Sequence, residues 1–86
     1  MRVIVPSPLH DYTEGRAQIE GEGETLAALL DDLDRRHPGL RFRVVDEQGN
    51  IRPHVRFFVN RQAATSLACR LTARDELLIV AALSGG

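Results

Sequence analysis

One segment constrains the fold of this chain more than any other, because it reads as a single amphipathic helix. Thr25 stands where a helix N-cap belongs, and four leucines then recur at the i, i+3, i+4 and i+7 spacing of one helical face: Leu26, Leu29, Leu30 and Leu33. Pro38 and Gly39 are typical of a helix end. The charged residues between them are expected on the solvent side: Asp31, Asp32, Asp34, Arg35 and Arg36. The fold must therefore cover one face of this helix.

Strand patterns surround the helix. Four segments are rich in β-branched residues or alternate polar and apolar side chains, namely residues 2–5, 16–20, 54–60 and 76–82. The last contains Leu77-Leu78-Ile79-Val80, apolar on both faces, which is typical of a central strand covered on both sides. Phe58 and Val80 are candidates for a docking patch, although burial in the core is the preferred interpretation of Val80.

The segments between the helix and the last strand are less regular. Residues 40–45 favour a short helix or an irregular segment over a strand, residues 61–64 read as a turn, and residues 66–71 as a short edge strand or a single helical turn. One helix against one mixed sheet predicts a two-layer α+β domain. We expect that domain to span residues 1–82, with residues 83–86 as a flexible C-terminal tail.

Composition excludes several classes of function. A chain of 86 residues is one domain, and its net charge of −1, from 11 basic and 12 acidic residues, gives no electrostatic case for nucleic acid or membranes. No apolar run is long enough for a secretory signal or a membrane span, and a single Cys cannot form an internal disulfide. These features predict a cytoplasmic protein with no nucleic-acid or membrane partner.

Residues that could perform catalysis or bind a metal are scattered along the chain. His10, His37 and His54 show no ligand-like spacing with one another or with Cys69. We expect solvated histidines and a packed cysteine without a base partner. The sequence therefore predicts no catalytic residue, no metal site and no stably bound cofactor.

The end of the chain is a different kind of candidate. It reads Leu83-Ser84-Gly85-Gly86, and the two glycines have no Cβ, so this segment can enter a narrow slot and present its terminal carboxylate. A carboxylate is a poor electrophile until it is joined to AMP as a mixed anhydride. A sulfur donor can then displace AMP and leave a thiocarboxylate on Gly86. This chemistry requires a partner enzyme that uses ATP and Mg²⁺.

The last third of the chain resembles the MoaD/ThiS-type sulfur carriers. The likeness rests on residues 71–77, which read Leu-Thr-Ala-Arg-Asp-Glu-Leu, on the apolar strand that follows, and on Ser84-Gly85-Gly86; Val59-Asn60 also matches a Val-Asn common in that family. The chain departs from the family where Arg74 replaces a common Gly, where Ala81 and Ala82 replace Pro, and where no Gly follows Asn60.

The resemblance implies a ubiquitin-like β-grasp fold and a sulfur carrier that is a substrate or small subunit, not a catalyst. Gly86 would be adenylated and converted to the thiocarboxylate, and the activating enzyme would contact Gly85, Ser84 and Leu83. Two partners follow: an adenylating enzyme of the ubiquitin-activating type, and a synthase or large subunit that accepts the sulfur.

Two other functions fit the same chain. A ubiquitin-like modifier would join Gly86 to lysines of target proteins, and a plain binding module would not use its diglycine at all. The biosynthetic pathway that receives the sulfur, whether molybdopterin, cysteine, thiamine or another product, stays open at this point.

Overall fold

The computed structural model describes residues 1–82, which form two α-helices, one 3-10 helix and five strands around one core. The elements are, in chain order, β1 (Arg2–Ile4), a 3-10 helix (Ser7–Tyr12), β2 (Gln18–Glu20), α1 (Leu26–Arg36), α2 (Leu40–Val44), β3 (Val55–Val59), β4 (Gln62–Ala64) and β5 (Glu76–Ala81). No helix in this part of the chain is long and apolar enough to cross a membrane. The predicted helix, the short helix after it and the four predicted strands are all present.

The five strands form one mixed sheet in the order β2-β1-β5-β3-β4. The first and last strands lie side by side at its centre and run parallel, whereas the other neighbouring pairs are antiparallel. The prediction that the last strand is central is therefore confirmed. Together with α1 this is the β-grasp arrangement that the family resemblance implied.

Helix α1 begins and packs as its leucine spacing predicts. The Thr25 hydroxyl accepts a hydrogen bond from the Ala28 amide at 3.1 Å, which satisfies one of the free amides of the first turn. All four leucines are buried, in one cluster with the inward side chains of the sheet: Val3, Ile19, Val55, Phe57, Leu77 and Ile79. Burying one leucine side chain contributes about 2 kcal/mol to the free energy of unfolding, so this cluster supplies most of the apolar stabilisation of the domain.

The prediction that every charged residue of α1 faces solvent is wrong for Asp32. This residue is only 8% exposed. Its carboxylate accepts a 2.8 Å hydrogen bond from the Glu22 amide and lies 2.9 Å from each of Arg35 Nη2 and Arg36 Nε. The Glu22 amide is the main cause that lowers the pKa of Asp32, and the two arginines reinforce it against the opposing effect of burial. Asp32 thus ties the connection between β2 and α1 to the helix.

The segment from residue 61 to residue 71 also differs from the prediction. Residues 62–64 are a strand, β4, and not a turn, whereas residues 66–71 form neither a strand nor a helix apart from one bridge between Thr25 and Arg70. The cause is the tightness of the preceding turn. Asn60 and Arg61 adopt φ values of 49° and 72°, and the chain reverses within these two residues.

Candidate functional site

One face of the sheet is covered by the helices, and the other carries an apolar surface. Side chains alternate along each strand, so the neighbours of the core residues point away from it. On β5 these are Leu78 and Val80, which are 37% and 40% exposed. We call the apolar residues of this side the open-face patch: Ile4, Phe58, Ala63, Leu78 and Val80.

Strand register joins these residues into one surface. Leu78 lies between Ile4 of β1 and Phe58 of β3, and Phe58 lies opposite Ala63 of β4. The row therefore crosses four strands, with neighbouring strands about 5 Å apart. Val80 extends the patch along β5 toward the end of the strand. Exposed apolar residues that are contiguous in this way are typical of a protein interaction site.

The prediction that β5 is covered on both sides, with Val80 in the core, is therefore wrong. The residues opposite the outward positions of β5 show why. Val80 pairs with Arg56, and Glu76 pairs with Arg2. Charged side chains on the same face as Leu78 require that face to be open to solvent. The apolar run of β5 alone could not reveal this, because the information lies in the neighbouring strands. The prediction of Phe58 as a docking residue is consistent with its place in the patch.

Charged groups at the edge of the patch are largely paired. Arg2 Nε lies 2.6 Å from Glu76 Oε2, and Arg56 donates from Nη1 to the carbonyl oxygens of Pro53 and Val55, at 2.8 and 2.9 Å. A shallow recess of about 290 Å³ lies at the β3–β4 turn and is lined by Phe58, Asn60, Arg61, Glu76 and Leu78. The patch thus has an apolar centre and a polar edge, as protein interfaces do.

A side-chain network fixes the start of β5 to that same turn. Asn60 Nδ2 donates to Asp75 Oδ1 at 2.7 Å, the Thr72 amide donates to Asp75 Oδ2 at 2.7 Å, and the Glu76 amide donates to Asn60 Oδ1 at 3.0 Å. The Thr72 amide, followed by the Asn60 amide group, lowers the pKa of Asp75. This network gives a physical role to the Asn and the Asp on which the sequence resemblance rests, whereas Glu76 takes part through its backbone alone.

The far end of β5 leads to the C-terminal residues. Ala81 pairs with Val55, and the Ala82 amide donates to the His54 carbonyl oxygen at 2.9 Å. Ala82 is exposed at the end of the central strand. The predicted site residues Leu83, Ser84, Gly85 and Gly86 lie outside the described residues. The structure brings the open-face patch and the attachment point of these residues onto one strand.

The side chains considered for catalysis do not converge. Cys69 is half-buried, and its thiol lies 3.8 Å from the Arg70 carbonyl oxygen. His54 is exposed, as predicted, but His10 and His37 are half-buried, and His10 Nε2 lies 3.0 Å from the Val5 carbonyl oxygen, which corrects the prediction that all three histidines are solvated. Within residues 1–82 no group of three or more His, Cys, Asp or Glu side chains is placed to hold a metal ion.

Comparison with known proteins gives a consistent result. The model of the ThiS family matches residues 3–86. The sulfur carrier protein CysO of Mycobacterium tuberculosis is 28% identical over 89 residues, which cover 98% of this chain and 96% of that protein. Among solved structures, the BexX/CysO complex of Amycolatopsis orientalis aligns with a TM-score of 0.89 and 28% identity, over 99% of this chain and 98% of that one. A small archaeal modifier protein of Haloferax volcanii aligns with a TM-score of 0.78 and 30% identity, over 100% and 98% of the two chains.

Proposed function

The chain belongs to the ThiS family, and from this we propose that it is a sulfur carrier whose Gly86 is adenylated and then converted to a thiocarboxylate. The chain is the substrate of these reactions and not their catalyst. We place them in the cytoplasm, where ATP is supplied. The activating enzyme provides ATP and Mg²⁺, and this chain provides a carboxylate and a surface by which that enzyme recognises it.

The reaction proceeds in two balanced steps. A Gly86 carboxylate oxygen attacks the α-phosphorus of ATP, and pyrophosphate leaves. A hydrosulfide ion, or a donor that delivers sulfur at the same oxidation level, then attacks the acyl carbon and AMP leaves. The product is a thiocarboxylate, in which one carboxylate oxygen has been replaced by sulfur. Its sulfur is a nucleophile that attacks an acceptor bound to the accepting enzyme, and hydrolysis of the resulting thioester by water leaves the sulfur on the acceptor and regenerates the Gly86 carboxylate.

The observation that carries this proposal is the continuity of β5. The strand presents Leu78 and Val80 on the open-face patch and runs directly toward the C-terminal residues. An enzyme seated on the patch is therefore beside the segment that it must activate. Four residues beyond Ala82 reach at most about 14 Å, so the active site must lie close to the docking surface.

The composition of the last residues supports the same proposal. Gly85 and Gly86 leave only backbone atoms at the tip, so a narrow channel in the activating enzyme can enclose them. Ser84 and Leu83 would lie in the entrance of that channel and contact it through generic backbone and apolar interactions. The family match extends to residue 86, so the diglycine lies within the matched segment.

The proposal is tested by intact-mass measurement after incubation with the activating enzyme of the same organism, ATP, Mg²⁺ and sulfide. We expect the mass increase for one oxygen replaced by sulfur, and fragmentation should place it on Gly86. A chain that lacks Gly86 is the matched control and should gain no sulfur. An unchanged mass for the intact chain, under conditions in which the enzyme consumes ATP with a known carrier, would exclude the proposal.

A second function, conjugation to proteins, is favoured by one observation. The chain is 30% identical to a small archaeal modifier protein over its whole length. In conjugation, a lysine amine of a target protein attacks the activated carbonyl in place of sulfur. The chain itself has no lysine, since all 11 basic residues are Arg. Enrichment of tagged chain from cells, followed by digestion, should reveal Gly86 linked to lysine side chains if this second function operates.

A plain binding role makes the opposite prediction for the terminus. A binding module would keep its function after removal of Gly86, whereas carrier and modifier functions both require that residue. Complementation of a strain that lacks the gene, by the full chain and by the chain shortened by one residue, separates these cases. We expect only the full chain to restore growth when the sulfur-containing product is withheld.

A further inference from the structure

The β3–β4 turn contains a residue whose side chain does not suit its backbone. Val59 and Gln62 pair across a two-residue loop, in which Asn60 and Arg61 both have positive φ values of 49° and 72°. Two positive φ values are the requirement of a type I′ hairpin turn, and the usual residues are Asn followed by Gly. Asn60 fits this rule, but Arg61 occupies the position where Gly would relieve the backbone strain. Strain of this kind persists mainly where it serves a function.

The side chain of Arg61 offers a reason for retaining it. Arg61 is exposed, lines the recess beside Phe58 and Leu78, and takes part in no ion pair or side-chain hydrogen bond among residues 1–82. The carboxylate that also lines this recess, on Glu76, is engaged by Arg2. The neighbouring Asp75 carboxylate is bound by the Asn60 side chain and the Thr72 amide. Arg61 therefore places a positive charge without an ion-pair partner among residues 1–82 at the edge of the open-face patch.

Arg61 and the C-terminal residues belong to opposite ends of β5. Arg61 lies by the beginning of β5 at Glu76, and the C-terminal residues follow its other end at Ala81. Six strand residues span about 20 Å. A partner that contacts both ends of β5 is held in one orientation over the patch, with its active site at the end where the chain leaves the sheet.

We propose that Arg61 is a specificity-determining residue that binds an acidic surface of the activating enzyme at the end of the open-face patch farthest from Gly86. This inference rests on the proposed function, because the partner is the enzyme that adenylates Gly86. The charge guides the encounter and selects the productive orientation, while the apolar patch supplies the contact area. An apolar patch alone would bind in several orientations, most of which keep Gly86 away from the active site.

The test compares Arg61→Gly and Arg61→Lys with the unaltered chain, using thiocarboxylate formation by the activating enzyme at increasing carrier concentration. Arg61→Gly removes both the charge and the strain. We expect its Tm to rise by about 3–6 °C. Its half-saturating concentration should increase about threefold to fivefold at low salt. Arg61→Lys keeps the charge and the strain, so both measurements should stay close to those of the unaltered chain.

Salt and a distant arginine provide the controls. The difference between Arg61→Gly and the unaltered chain should vanish at about 1 M salt, where the Debye length falls to about 3 Å. Arg16 is also exposed but lies near Arg36 and His37 at the end of α1. Its replacement, Arg16→Asn, removes one charge from the chain and should leave the half-saturating concentration unchanged.

The outcomes separate this inference from the function on which it rests. If the unaltered chain acquires sulfur and Arg61→Gly shows the same half-saturating concentration, the role of Arg61 is overturned and the carrier function stands. An equal increase in the half-saturating concentration for Arg16→Asn also overturns the role of Arg61, because the total charge of the chain would then explain the effect. If the unaltered chain is not activated at all, both proposals fail.

Discussion

The two faces of the sheet are built from alternate residues of the same strands, yet they serve different purposes. Phe57, Leu77 and Ile79 point toward α1 and are at most 1% exposed, whereas Leu78 and Val80 are 37% and 40% exposed. The covered face contributes the apolar burial that stabilises the domain. The open face carries apolar side chains that the fold does not need to bury. We propose that a partner covers them during activation.

The largest expected effect is on the free energy of unfolding, and it comes from two adjacent phenylalanines on opposite faces of the sheet. Phe57→Ala removes a side chain that is 1% exposed and should lower the free energy of unfolding by about 3–5 kcal/mol. Phe58→Ala removes a half-buried side chain of the same type and should lower it by about 1 kcal/mol. Urea denaturation measures both values.

The same pair should show the opposite order in activation. At a temperature where both variants are folded, Phe58→Ala should slow thiocarboxylate formation at low carrier concentration, and Phe57→Ala should leave it nearly unchanged. If the stability losses of the two variants were equal, the division between a structural face and a docking face would not hold.

The second largest expected effect is on the free energy of unfolding and concerns two adjacent carboxylates of α1. Asp32 is buried and bound by the Glu22 amide, whereas Asp31 is an exposed partner of Arg41 Nε at 3.1 Å. Asp32→Ala leaves the Glu22 amide without its acceptor and should cost about 2 kcal/mol at pH 7. Asp31→Ala should cost less than about 0.5 kcal/mol, since exposed ion pairs contribute little.

The contribution of Asp32 should depend on pH with a defined sign. Its pKa is lowered in the folded protein, so the unfolded chain binds a proton first as the pH falls. The stabilisation is therefore complete above the ordinary value of 3.8 and is lost as the pH falls below 3.8 and through the lowered pKa of the folded state. Thermal unfolding of the unaltered chain and of Asp32→Ala should converge at acid pH. A difference between them that stayed constant down to the lowest pH would contradict this explanation.

The third effect concerns the binding of the activating enzyme to the open-face patch. Leu78→Asp places a carboxylate at the centre of the open-face patch, where the activating enzyme would have to bury it. We expect the half-saturating concentration for activation to rise about tenfold, which corresponds to about 1.4 kcal/mol. The Tm should fall by only a few degrees, because Leu78 is already 37% exposed, and activation is measured at a temperature where this variant is folded. Unimpaired activation of this variant would place the docking surface elsewhere on the molecule.

The sequence predicted most regular elements but not the contacts between segments that are distant in the chain, and it failed for residues 61–71. The leucine spacing of α1, the alternation in β3 and the apolar run of β5 are each patterns of nearby residues, so their helical and strand structure was predictable. The burial of Asp32 depends on the Glu22 amide, 10 residues away. The exposure of Val80 depends on its pairing with Arg56. The first contact depends on how α1 packs against the connection after β2, and the second depends on the register of the strands, so neither is visible in a local pattern of residues.

The smallest expected effect tests whether the covered side of the molecule takes any part in the sulfur chemistry. Cys69 is half-buried beside the start of α1, and its carbonyl oxygen accepts a hydrogen bond from the Leu26 amide at 2.9 Å. A cysteine thiol can take a sulfur atom from a donor persulfide, which leaves as a thiol, so Cys69 competes with Gly86 for sulfur that is supplied by such a donor. Cys69→Ser keeps the backbone contact and should change the free energy of unfolding by less than about 1 kcal/mol. With sulfide as the donor, intact mass should show the same replacement of one oxygen by sulfur in this variant as in the unaltered chain. Addition of a whole sulfur atom to the unaltered chain and not to Cys69→Ser, after incubation with a persulfide donor, would assign part of the cargo to the thiol.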